Sequence, residues 1–81
     1  MKTTSFNDIP LVDKALLVVE FGQYIESMQY YQYWLHLYSM GPNFVEVYYN
    51  TVSGEIDKIN LCTYKQLDKY IDNILIQVKF E

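Results

Sequence analysis

Arginine does not occur in this chain of 81 residues, and its six basic side chains, all lysine, are outnumbered by ten carboxylates. The formal charge of −4 leaves no basic face to neutralise phosphates, and the guanidinium fork favoured for phosphate and guanine is missing. Nucleic acid is therefore not an expected partner, and neither is an anionic membrane surface. A coding sequence rich in A and T produces the same bias toward lysine, so the missing arginine needs no functional cause. Cys62 is the single cysteine, which excludes an internal disulfide and a zinc site built from paired thiols. His36 is the single histidine, which excludes a multi-histidine metal centre. No cofactor is expected. No stretch approaches the ~20 apolar residues of a membrane span. The first ten residues lack the apolar run of a signal peptide. The expectation is a cytoplasmic protein.

Aromatic side chains are plentiful: nine Tyr, four Phe and one Trp. Each buries a large area, which helps a small core, and Tyr also suits a half-wet surface. With 51% hydrophobic and 20% charged residues the composition is that of a folded protein. A chain this short supports one domain, here residues 1–81, with a modest core.

Residues 1–8 read as a lead-in, with Ser5, Asn7 and Asp8 as candidate N-caps and Pro10 suited to a first helical turn. Leu11, Ala15, Val18, Gly22 and Ile25 recur at helical spacing, widened by Val12, Leu16 and Val19, and predict a helix over about 9–28. From Tyr30 the period changes to two. Tyr33, Leu35 and Leu37 point one way, and Trp34, His36 and Tyr38 the other. Gly41-Pro42-Asn43 is turn chemistry. Val45, Val47 and Tyr49 then alternate with Phe44, Glu46 and Tyr48. A second turn at 51–54 precedes a third strand to Cys62, with Ile59 and Leu61 inward. Thr63 and Gln66 have capping-box spacing and open a second helix over about 64–76, with Leu67, Tyr70, Ile71 and Ile74 as its stripe. Residues 77–81 read as a tail; whether 76–80 are helix, strand or tail stays open because Ile76, Val78 and Phe80 fit either period.

These elements give an α+β fold: a helix, a three-stranded antiparallel meander over 30–62, and a helix, with both helices on one sheet face. The covered face would be Leu35, Leu37, Val45, Val47, Ile59 and Leu61. The open face would carry Trp34, His36, Tyr38, Phe44, Glu46, Tyr48 and Lys58, more apolar than a sheet facing water usually is. Trp and Tyr are frequent interface anchors. This surface points to a non-enzymatic protein-interaction module whose partner is another protein or a second copy, as in a homodimer. Cross-strand aromatic pairs also stabilise a small sheet with no partner at all, by ~0.2–1 kcal/mol each, and that reading stays open.

Two further functions are weighed against this one. His36 and Glu46 on one face could make a small-molecule site or a minor enzyme, with the carboxylate raising the histidine. The excess of acid could serve an inhibitor or accessory protein that caps a basic partner, although the acidic residues are scattered along the chain. Asp68 and Asp72 lie four apart with Lys65 and Lys69 around them, a solvated helix face. No residue is assigned a catalytic or metal-binding role.

The stretch Tyr30-Tyr31-Gln32-Tyr33 through Leu37-Tyr38, followed by Phe44-Val45-Glu46-Val47-Tyr48-Tyr49 and Ile56-Asp57-Lys58-Ile59, resembles a group of short uncharacterised bacterial proteins over about residues 15–75. The Phe-Val-Glu-Val-x-Tyr run is the more specific part. The resemblance implies a small bacterial-type domain and carries no functional residue to this chain.

Overall fold

A computed structural model describes residues 6–79, with side chains described for 6–71. A 3-10 turn at Phe6–Asp8 leads to helix α1 (Leu11–Phe21). Four strands follow, β1 (Gln23–Tyr30), β2 (Tyr33–Met40), β3 (Asn43–Asn50) and β4 (Glu55–Cys62), and then helix α2 (Tyr64–Lys79). The strands pair in chain order, each antiparallel to the next. The fold is α+β, with four strands where three were expected.

The additional strand comes from the C-terminal part of the expected helix. That helix stops at Phe21, and Gly22 takes an extended conformation while its N–H still reaches the Val18 carbonyl at 2.8 Å. A Cβ on Gly22 would stand 2.6 Å from that carbonyl oxygen, so only glycine fits the exit. Residues 23–30 then run as β1, with a bulge between Tyr24 and Glu26. Ile25, taken as the next helical position, sits in this bulge. A two-residue turn, Tyr31-Gln32, connects β1 to β2. Tyr31 is left-handed at φ 55°, and Thr51 ties the turn down through two hydrogen bonds to the Gln32 carbonyl. Pro10 stands just before α1, not within its first turn. Asn7 uses its side-chain oxygen to accept from the Leu61 N–H on the outer border of β4.

The β2–β3 hairpin turns on Gly41-Pro42 alone, with Met40 opposite Asn43 and Gly41 at φ 60°. A three-residue loop would shift the pairing by one position, and one position exchanges the faces of the partner strand. In the actual register Leu35 lies opposite Tyr48 and Leu37 opposite Glu46, while His36 and Tyr38 lie opposite Val47 and Val45. Both sheet faces are consequently apolar, and each receives one helix. Val18 of α1 packs with Val45, Val47 and Ile59, flanked by Phe6, Ala15, Tyr38, Met40 and Leu61. Tyr70 of α2 packs with Leu35, Leu37 and Cys62, flanked by Met28, Tyr33, Phe44, Tyr48 and Leu67. The helices thus lie on opposite faces, not on one. A strand buried on both sides reads as apolar throughout, which is the composition of β2 and β3.

The Thr63–Gln66 capping box forms as its spacing implies: the Thr63 N–H donates to Gln66 Oε1 at 2.8 Å and the Gln66 N–H to Thr63 Oγ1 at 3.2 Å. Helix α2 continues past residue 76 to Lys79. Residues 1–5 and 80–81, which include the candidate cap Ser5 and Phe80, lie outside the described residues. Among the described residues, no helix is long and apolar enough to cross a membrane.

Candidate functional site

The seven residues expected on one open face fall on two. Trp34, His36 and Tyr38 lie on the α1 side; Phe44, Glu46, Tyr48 and Lys58 lie on the α2 side. The one-residue difference in the turn is the cause. Tyr38 is packed beneath α1 and Phe44 beneath α2, both half-buried. His36 and Glu46 are separated by the sheet, so the small-molecule or catalytic pair proposed for them does not exist.

Glu46 is the most enclosed charged side chain among the described residues, with 1% of its surface accessible. Its Oε2 accepts from the Tyr70 hydroxyl at 2.8 Å and meets the Lys69 ammonium at 2.7 Å. Burial alone would pull the Lys69 ammonium down; the hydrogen bond and charge of Glu46 outweigh it, and the group sits above the ordinary lysine value. Tyr70 is pushed far up by burial and by its bond to Glu46, and so remains a hydroxyl donor. Tyr48 rises through burial and the Glu46 charge. Lys58 holds its ammonium 4.3 Å from the Tyr48 ring centre. This cluster joins α2 to the sheet: a buried carboxylate is satisfied only when the helix is docked.

Cys62 is buried beside it, with its thiol pushed up to about 11 by burial and by Glu46. Such a thiol is a poor nucleophile. It lines a groove of about 320 Å³ with Pro42, Phe44, Leu61 and Tyr64. The groove is mostly apolar, with Asn43 and Thr63 completing its lining. Among the described residues, no three of His, Cys, Asp and Glu converge on a point where a metal could bind.

On the α1 side, a hydrogen-bond chain crosses from β1 to β2. Tyr24 OH lies 2.7 Å from Ser27 Oγ, and Ser27 Oγ lies 2.5 Å from His36 Nδ1. Burial holds His36 below its ordinary value, which favours the neutral ring, and its Nδ1 shares a hydrogen bond with Ser27 Oγ. Trp34 lies parallel to the imidazole at 6.5 Å between centroids, and Tyr24 meets Tyr38 edge-on at 5.7 Å. A serine beside a histidine suggests acyl transfer, but that chemistry also needs donors aimed at a developing oxyanion, and nothing described beside Ser27 supplies them. The chain orients rings and couples two strands.

The surface that sequence reasoning missed is on α1. Its inward row is Lys14 and Val18, with Ala15 half-buried; Lys14 is 6% accessible and its ammonium donates to Asn60 Oδ1 at 3.1 Å. Its outward row, Val12, Leu16 and Val19 at i, i+4 and i+7, is 71%, 62% and 82% accessible. By spacing alone these residues widen the core stripe; in the structure they face away from the sheet. The signal that separates them was present: a helix covering one sheet face needs one apolar stripe, and this helix has two. Phe21 and Tyr24 are exposed at its C-terminal end, and Trp34 is 36% accessible on the same side of the sheet.

No family model matches this chain, and no curated protein and no solved structure matches it.

Proposed function

We propose that this chain is a non-enzymatic protein-interaction module that binds through the α1 side of its sheet. The observation that carries the reading is the outward apolar row Val12, Leu16 and Val19, exposed although the same helix already has a packed inner row. Tyr24 and Trp34, exposed on the same side of the sheet, add aromatic surface beside it. Rigid aromatic anchors at one end of such a patch are the usual carriers of binding energy. The lone buried thiol fits a reducing compartment such as the cytoplasm.

A photoreactive residue placed at position 16 or 34, in the cells that make the protein, tests the reading. The expected result is a discrete crosslinked species from both positions and none from Val52, which is more exposed than either but lies in the β3–β4 turn. Absence of any product at 16 and 34, or the same products at 52, refutes it.

A further inference from the structure

The outward surface of α1 carries a second row beside the apolar one. Asp13 and Glu20, also exposed, lie seven residues apart and flank Leu16 on one side. The only basic residue of the helix is Lys14, which is turned inward and tied to Asn60. A body laid along α1 therefore meets an apolar seam with a purely acidic border.

We infer that the partner of this surface is an amphipathic helix whose apolar seam is bordered by lysine or arginine. The inference rests on the interaction reading above and specifies its occupant. The acidic border works against a second copy of the chain. In a two-fold pair that packs two α1 helices antiparallel, the axis keeps equivalent side rows on the same side. Asp13 and Glu20 of both copies then line one border, four carboxylates with no cation between them. A cationic border on the partner converts the same geometry into attraction. It also matches the overall charge of −4.

Two labelled synthetic helices test this, with the same leucine seam at i, i+4 and i+7 and either lysine or glutamate on the borders. Fluorescence anisotropy with the whole chain should show the lysine peptide binding at least tenfold tighter, with affinity falling as salt rises. Leu16→Asp should abolish the binding, and Asp13→Lys with Glu20→Lys should reverse the preference. Both changes are at exposed positions, and an unchanged thermal melt verifies folding. Equal affinity for the two peptides, or binding that Leu16→Asp leaves intact, overturns the inference. Sedimentation of the chain alone separates the two levels of the argument. A dimer dissociated by Leu16→Asp overturns the cationic partner while the interaction surface stands. Binding of neither peptide, together with a monomer at every concentration, removes both. Binding to phosphatidylcholine vesicles that Leu16→Asp abolishes replaces the protein partner with a lipid one.

Discussion

Replacing Tyr70 with Phe removes one hydroxyl from the interior and keeps the ring that packs on Leu35 and Leu37. The oxygen that loses its donor is Glu46 Oε2, which keeps its ion pair with Lys69. Glu46 is 1% accessible, so water does not replace the hydroxyl. A hydrogen bond to a buried charge is worth ~1.5–3 kcal/mol. For a chain of this length that loss lowers the melting temperature by about 4–8 °C per kcal/mol. It is a large part of a total stability of ~4–12 kcal/mol. Urea unfolding at pH 7, followed by Trp34 fluorescence and by circular dichroism, measures it; the midpoint should fall with the slope unchanged. In a Glu46→Gln background the same substitution should cost only ~0.5–1.5 kcal/mol, the value of a neutral hydrogen bond. The difference is a coupling energy that a double-mutant cycle reads directly. A Tyr70→Phe protein within ~0.5 kcal/mol of wild type would refute the claim that the carboxylate depends on α2, since surface changes fall in that range.

Tyr31→Gly should raise the melting temperature, because relieving a left-handed φ of 55° on a tyrosine gains about 0.5–1 kcal/mol net of the glycine's own entropy; a lower melting temperature would show that the Tyr30–Tyr31 ring contact outweighs the strain. At pH 8 iodoacetamide should modify Cys62 about a hundredfold more slowly in the native protein than in the unfolded chain, as follows from a thiol raised from 9.0 to about 11; mass spectrometry of timed samples decides, and equal rates refute the burial. His36 is held below 6.5 in the fold, so the unfolded chain takes up its proton first as pH falls. Its contribution is therefore complete above pH 6.5 and is lost as pH drops through the folded value. Stability measured from pH 8 to pH 4 should fall less steeply in His36→Gln, and parallel curves would refute the assignment.

How far the fold was legible depends on which signals were local. The capping box at Thr63, the alternation within 33–40 and 43–50, and the turn at 51–54 were all readable because a few neighbouring residues determine each. The β1 strand was hidden because Ile25 extends the spacing of Leu11, Ala15 and Val18, and because the Tyr31-Gln32 turn has no glycine, asparagine or proline to mark it. Pairing across the Gly41-Pro42 turn was not local at all. Leu35 and Leu37 match Val45 and Val47 in character as well as they match Phe44 and Tyr48, so hydrophobicity alone could not choose between registers one residue apart. A wrong choice moved Glu46 from the core to an imagined surface and joined it to a histidine on the other side of the sheet. Trp34 is 36% accessible and lies on the opposite face from Phe44, Glu46, Tyr48 and Lys58.

The two borders of the sheet are finished differently. Along β4 the side chain of Asn7 occupies the Leu61 amide, whereas no strand among the described residues runs beside β1. Asn7 thus blocks pairing at that one position of β4, while β1, the other outer strand, carries an irregularity of its own. The kink between Tyr24 and Glu26 interrupts the regular spacing there. It leaves the Ser27–Tyr30 half of that border as the straighter stretch for a newcomer to pair with.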